Sequence, residues 1–247
     1  MNVIILAAGY ATRMYPLTRT QPKPLLDVAG RPVLSRLMDR VLTIDGVRHA
    51  VLVTNDRFCG HFEAWAASYE GTVPVTVVND GSTHEDDRLG ALKDLALAWD
   101  ALPESDDGVV VVGGDNLIGF DLAPFAARCV DSEQPLLLVR EIEGTVPPGT
   151  YSEVCLDDDG TVTSFREKPD DPRSNLSAIC MYFFTPDIRL ELDAYFADGS
   201  EPDAPGHFLS WLFSRRTLQA ARFEGAWFDI GSLETLAAAR TAFAETP

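Results

Sequence analysis

Short apolar runs recur along the first half of the chain, each followed by a segment with helical spacing. Val3-Ile4-Ile5-Leu6 is too short for a helix and shows no polar alternation, so it predicts a strand buried on both faces. Ala50-Val51-Leu52-Val53-Thr54 and residues 75–78 repeat that pattern. Between them, residues 32–43 put Val33, Leu34, Leu37, Met38, Val41 and Leu42 on one helical face, with Pro32 suited to a first turn. A helix over about 58–68 follows. Residues 90–102 form a third helical segment. Gly108 to Gly113 is the most hydrophobic strand and is expected at the centre of a sheet. Residues 123–130 read as helix and 136–139 as strand. Strand–helix–strand alternation implies parallel pairing with right-handed crossovers.

The second half has a different rhythm. Residues 151–156, 162–167 and 178–184 read as strands, with Asp157-Asp158-Asp159-Gly160 as the hairpin turn between the first two. Residues 186–197 and 205–213 read as helices and 218–223 as a late strand. Residues 232–244 form a closing helix with Ser232 as its N-cap. No internal repeat or linker divides the chain. The expected fold is α/β: a Rossmann-like mixed, mostly parallel central sheet flanked by helices, with a small β-rich subregion, in one domain over 1–247.

Composition narrows the function. The 247 residues are 46% hydrophobic and 23% charged, an ordinary globular balance. No apolar run is long enough to cross a bilayer, and no secretory leader is visible. The formal net charge of −18 argues against nucleic-acid and membrane binding. Cys59, Cys129, Cys155 and Cys180 are far apart and form no CxxC pair, which reads as reduced thiols in a cytoplasmic protein.

Candidate chemistry starts where the first strand breaks. Ala8, Gly9 and Ala11 are small enough to let backbone approach a phosphate chain. Arg13 and Lys23 then supply two cations, Lys23 held stiff between Pro22 and Pro24. A buried strand that delivers such a loop is how α/β proteins hold phosphates at the carboxyl end of a sheet. The same residues could equally be a plain strand-to-helix connection.

Four ordered elements go further. Leu6-Ala7-Ala8-Gly9-Tyr10-Ala11-Thr12-Arg13-Met14-Tyr15-Pro16-Leu17-Thr18 with Pro22-Lys23-Pro24-Leu25-Leu26 resembles the signature of the sugar-phosphate nucleotidylyltransferases, the glucose-1-phosphate thymidylyltransferase-like family. Ala11 stands at the family's usual second glycine. Gly114-Asp115-Asn116 resembles its metal-binding acid after a central strand, Phe165-Arg166-Glu167-Lys168-Pro169 its Glu-Lys-Pro element, and Trp227-Phe228-Asp229-Ile230-Gly231-Ser232 its late Trp-x-Asp-x-Gly element. The resemblance implies Mg²⁺ held by Asp115 and Asp229, with Arg13, Lys23 and Asp115 catalytic. Arg13 would stabilise departing pyrophosphate and Lys23 the α-phosphate, while Lys168 would neutralise the acceptor's phosphate. It divides the chain into an NTP-binding half, about 1–130, and an acceptor-binding half, about 131–247.

The resemblance also assigns binding residues. Nucleotide contacts are expected from Leu6, Ala8, Gly9, Tyr10, Ala11, Thr12, Arg13 and Gly114. Asn79, Asp80, Gly81, Arg88 and Gly90 fall where the family reads its base, with Gly90 letting the base lie flat on backbone. The Gln of thymidylyltransferases is missing there, and a pyrimidine is preferred by analogy with a cytidylyltransferase branch. The acceptor wall comprises Glu167, Lys168, Ser152 and Cys180. Ser152 and Cys180 replace glycines of sugar-using members, and Glu153 adds charge nearby. These differences favour a small phosphate or phosphonate acceptor, with a sugar 1-phosphate as the alternative. A catalytically silent binding module and a nicotinamide oxidoreductase are the other classes weighed. The catalytic set is complete, against the first, and the chain lacks G-x-G-x-x-G, against the second. Homo-oligomerisation is left open.

Overall fold

The computed structural model describes residues 1–103 and 107–244. β1 (Asn2–Leu6) leads into the opening loop, and a ribbon of β2 (Asp27–Val28) and β3 (Arg31–Pro32) precedes α1 (Val33–Val41). β4 (Ala50–Thr54), α2 (Cys59–Ser68), β5 (Val75–Asn79), α3 (Ala91–Asp100) and β6 (Val109–Gly113) alternate after it. Then come the short β7 (Asn116–Ile118), α4 (Ala123–Ser132) and β8 (Leu136–Glu141). The second half runs β9 (Glu153–Leu156), β10 (Val162–Arg166), β11 (Leu176–Phe184), α5 (Ile188–Ala197), α6 (Pro205–Phe213), β12 (Gln219–Arg222), β13 (Trp227–Asp229) and α7 (Leu233–Ala244).

Among the described residues, nine strands form one sheet. β5, β4, β1 and β6 lie side by side, all parallel. β11 pairs antiparallel with β6, β8 antiparallel with β11, and β12 parallel with β8. β6 is therefore interior, as its unbroken apolar sequence requires. The β9–β10 hairpin joins the start of β11 and supplies the β-rich subregion. Its turn is closed by Asp157, whose carboxylate accepts the Asp159 and Thr161 N–H groups at 3.0 and 2.8 Å, with Gly160 at φ +80°.

The sheet separates two apolar layers. Val3, Ile5, Val110, Val112, Met181 and Phe183 point to the side covered by α1, α2 and α4. Ile4, Val51, Val109, Val111 and Phe184 point to the other side, against α3, α5 and α6. Each fully buried Val or Ile contributes about 1.5–3 kcal/mol, so the alternation of a short run between two cores is a strong constraint on register.

A third cluster governs the site. Met14, Leu26 and Val28 from the opening segment pack with Leu117, Ile230, and Leu236, Ala239 and Phe243 of α7. The C-terminal helix thus returns to support the N-terminal loop from beneath. Its start is capped as the sequence predicts: Ser232 Oγ accepts the Thr235 N–H at 3.2 Å. Periodicity did not reveal β2, β3, β7 and β13, because two or three residues are too few to show a period. The opening loop is also more ordered than a plain connection, with single 3₁₀ turns at Thr12–Met14, Leu17–Arg19 and Lys23–Leu25.

Candidate active site

The carboxyl ends of β1 and β6 and the inner part of β11 open into a cleft of about 960 Å³, at the upper end of the size range of ligand sites. Leu6, Ala8, Gly9 and Arg13 line it. A Cβ on Gly9 would touch nothing within 4 Å, so neither packing nor strain demands a glycine there; it leaves bare backbone facing the cleft. Arg13 is exposed and makes no hydrogen bond or ion pair among the described residues.

Tyr10, Ala11 and Thr12 shape the loop from behind and are not among the cleft-lining residues. Tyr10 is buried, its hydroxyl 3.3 Å from Ser82 Oγ, and Thr12 donates to Glu85 at 3.4 Å. Ala11 adopts the left-handed conformation at φ +50°. A glycine would be unstrained there, whereas a side chain costs about 1–2 kcal/mol. Its carbonyl is held by the Met14 N–H at 3.0 Å and by Thr18 Oγ1 at 2.8 Å. Arg57 fixes the following turn by donating to the Tyr15 hydroxyl at 3.2 Å and to the Arg19 carbonyl.

β6 ends in Gly113, and the Gly114 N–H donates to Leu6 O at 2.9 Å. A Cβ on Gly114 would crowd Ile5, Pro24 and Ala7 at 3.2–3.3 Å, so this glycine seats the loop on the strand ends rather than lining the cleft. Asp115 comes next. Its carboxylate pairs with the Lys23 ammonium and accepts Asn116 Nδ2 at 3.1 Å, while its carbonyl accepts the Ile230 N–H at 3.1 Å. That last bond brings β13 alongside, and with it Asp229. Burial raises the Asp229 pKa, and the negative charge of Asp115 raises it further; Lys23, Arg13 and Arg140 offset part of this. Two carboxylates and three cations therefore act on one another at the floor of the cleft.

The opposite wall carries Glu167, Lys168, Ser152 and Cys180, all lining the cleft. Glu167 is packed against Gly206, where any Cβ would collide with its carboxylate. Burial pushes its pKa up, and Lys168 and His207 pull it back. Lys168 sits at φ +44° with its ammonium 3.9 Å from Glu167; a lysine held in the left-handed region is strain of the kind that gathers at ligand sites. Ser152 Oγ accepts the Ala178 N–H at 3.2 Å, which commits the hydroxyl to the neighbouring strand. The Cys180 thiol is pushed up to about 12 by burial and then by Asp115 and Asp229, so it stays protonated.

Glu153 does not add charge to this wall. It is 1% exposed and holds the Arg166 guanidinium and the Arg173 and Ser174 N–H groups. Burial alone would raise its pKa; those donors outweigh burial and hold it below the usual carboxylate range.

The residues expected to read the base lie outside the lining of this cleft. Asn79 donates to Asp56 at 2.8 Å and accepts the Gly81 N–H at 2.9 Å. Asp80 accepts the N–H and hydroxyl of Ser82, both at 2.7 Å. Arg88 pairs with Asp203 at 3.0 Å. Gly90 has φ +94°, and a Cβ there would meet Pro202 O at 2.8 Å. The space that glycine was expected to leave for a base is filled by the 202–203 backbone, whose carbonyls accept the Leu92 and Ala91 N–H groups at 2.9 and 3.3 Å. Asn79, Asp80, Gly81, Arg88 and Gly90 do not line the cleft.

Asp94 and Arg140 line the cleft although sequence reasoning passed over both. Asp94, 6% exposed, is pushed up to about 7 by burial, then by the charge of Asp80 and a hydrogen bond to it. It sits in an otherwise apolar helical face, and an acid there is the one signal the sequence carried. Arg140 closes the apolar run of β8, and its guanidinium carbon lies over two rings, 4.5 Å from the Tyr151 centroid and 4.9 Å from the Trp227 centroid. Trp227 Nε1 donates to Asn116 Oδ1 at 2.8 Å, linking this stack to Asp115 through one amide.

Known proteins share this chain's sequence pattern and fold. The nucleotidyl transferase family model matches residues 2–246. The UTP–glucose-1-phosphate uridylyltransferase of Haloferax volcanii is 28% identical over 94% of this chain and 91% of its own. The glucose-1-phosphate thymidylyltransferase of Streptomyces antibioticus is 29% identical over 94% of this chain and 63% of its own. The mannose-1-phosphate guanylyltransferase catalytic subunit beta of Drosophila melanogaster is 27% identical over 93% of this chain. The chain spans 59% of that subunit's length. In fold, a UDP-glucose pyrophosphorylase complexed with UDP-glucose superposes with a TM-score of 0.82 at 20% identity, covering 100% of this chain and 99% of the other. With a family model matched from the first strand through the closing helix, the chain belongs to the nucleotidyl transferase family.

Proposed function

We propose that this protein transfers a nucleotidyl group from an NTP to a sugar 1-phosphate and releases pyrophosphate. The carrying observation is the meeting of Asp115 and Asp229 beneath Lys23 and Arg13, beside the bare backbone of Gly9. The chain then works as two halves, about 1–130 for the NTP and about 131–247 for the acceptor. A sugar 1-phosphate is preferred to a phosphonate for two reasons. The relatives named above act, by their names, on glucose 1-phosphate and mannose 1-phosphate. The Ser152 hydroxyl is also committed to the Ala178 N–H instead of standing free in the cleft. A pyrimidine NTP is the preferred donor, since two of those three relatives are named for uridylyl and thymidylyl transfer.

The donor set fits a hard divalent cation. Both ligands are carboxylates, and Asp229 is buried against the like charge of Asp115, a repulsion that a dication would relieve. Asp115 and Asp229 would hold Mg²⁺, which when bound supplies charge neutralisation for the anionic substrates. The other roles fall to the chain's own groups. Gly9 and Ala8 let the triphosphate approach backbone. Arg13 neutralises the β- and γ-oxygens as pyrophosphate departs, and Lys23 the α-phosphate. The bond formed joins an acceptor phosphate oxygen to the α-phosphorus, and the bond broken is the α–β bridge. The attacking phosphate is already ionised near neutral pH, so no side chain has to remove a proton; positioning and charge carry the rate.

A matrix assay tests this reading. Each common NTP is paired with glucose 1-phosphate, mannose 1-phosphate, phosphocholine and 2-aminoethylphosphonate, with Mg²⁺ and a pyrophosphate readout. Pyrophosphate release is expected with a sugar 1-phosphate. Release only with phosphocholine or the phosphonate would move the acceptor to the non-sugar class.

A further inference from the structure

Resting on that reading, we propose that Arg140 is the residue that grips the acceptor's reacting phosphate. Its guanidinium carbon lies over the Tyr151 ring at 4.5 Å from the centroid and over the Trp227 ring at 4.9 Å. Contacts of this kind use the π-face of the guanidinium and leave its five N–H donors, which point outward in the plane of the group, for a ligand. Among the described residues the Arg140 side chain makes no hydrogen bond or ion pair, so those donors are uncommitted. The residue lines the cleft.

Two observations put this edge at the acceptor phosphate. First, Arg140 belongs to the metal-acid side of the cleft: it lies over the ring of Trp227, two residues from Asp229, and lines the cleft together with Asp115 and Asp229. The phosphate that attacks must lie on the side of Asp115 and Asp229. Second, the stack is tied to that side. Trp227 is on β13 with Asp229, and its indole N–H holds Asn116, whose amide holds Asp115. Arg13 and Lys23 come from the opening loop and serve the triphosphate. Arg140 comes from β8, next to β11 and its cleft residues Ala178 and Cys180. A planar fork held against two rings suits two oxygens of a tetrahedral phosphate, and a lysine cannot reproduce that grip. Lys168 is left to neutralise Glu167 and the outer part of the acceptor.

The test uses the full chain with the NTP and sugar 1-phosphate pair that is most active in the matrix assay. R140Q is expected to raise the acceptor KM at least tenfold and leave the NTP KM within twofold. R140K is expected to recover only part of the loss. K168Q is expected to change the acceptor KM less than R140Q does. Unfolding temperature is measured alongside, so that a folding defect is separated from a binding defect. An acceptor KM within twofold of wild type in R140Q, or a K168Q effect larger than that of R140Q, would overturn the assignment. Should the wild type turn over no pair, the proposed function fails by itself. Arg140 is then read by calorimetry with glucose 1-phosphate and with glucose. Binding that needs the phosphate and is lost in R140Q supports the anchor; equal binding in both proteins, or none that depends on phosphate, overturns it.

Discussion

The Lys23 ammonium pairs with the Asp115 carboxylate, joining the opening loop to the end of the central strand. Both groups are mostly buried, with side chains 17% and 26% exposed. Substrates approaching this floor would meet a carboxylate and a cation already held together, and binding a triphosphate redistributes their partners. Removing either partner therefore affects chemistry more than fold. We expect K23A and D115A each to lower kcat by about 10²–10³, the size of losing one preorganised charge at a transition state. Circular dichroism should stay unchanged. Pyrophosphate release under saturating substrates measures the effect.

Asp229 should behave differently from Asp115 in stability. Its carboxylate is buried against a like charge, so D229N removes an unfavourable interaction while deleting a proposed metal ligand. We expect a higher unfolding temperature together with a loss of activity of at least about 10²-fold, a trade-off common at active sites. A chelator should abolish wild-type activity and added Mg²⁺ restore it.

Much of this was legible in the sequence, for a physical reason. Val3-Ile4-Ile5-Leu6 and Val109-Val110-Val111-Val112 are apolar without alternation, which only a strand buried on both faces accommodates. That Arg13, Asp115 and Asp229 line one cleft was expected from the order of the motifs that carry them. The base corner was not. What fills the space over Gly90 is Pro202, more than a hundred positions away, and no local pattern carries that. Arg140 was hidden for a similar reason, since its two rings come from a loop before β9 and from β13. Glu153 was misread because a lone acid beside a cleft residue looks solvent-facing until Arg166 is seen to cover it.

That burial gives a stability prediction. E153A leaves the Arg173 and Ser174 N–H groups without their acceptor and the Arg166 guanidinium with Asp171 alone. We expect a loss of about 2 kcal/mol, the scale of leaving hydrogen-bond donors unsatisfied, with an acceptor KM within twofold of wild type. Chemical denaturation and steady-state kinetics on one preparation distinguish the two effects.

Asp94 predicts a pH dependence of stability. Its folded pKa, about 7, lies above the unfolded value of 3.8. Between these values the folded state binds more protons than the unfolded one, so stability from this group falls as pH rises from about 4 to 7 and is flat above. D94N removes the titration. We expect the difference in unfolding free energy between D94N and wild type to grow in favour of D94N from pH 5 to pH 8. A difference that is constant across that range would show that Asp94 does not titrate there.

The claim at the centre of this account is transfer at the α-phosphorus. The direct measurement is to incubate the protein, Mg²⁺ and a sugar 1-phosphate with NTP labelled at the α-phosphate and, separately, at the γ-phosphate. The account requires the α label to move into a nucleotide-sugar and the γ label into pyrophosphate in equal amounts, with both transfers lost in R13A. Release of the γ label as orthophosphate, with the α label remaining in a nucleoside diphosphate, would contradict it.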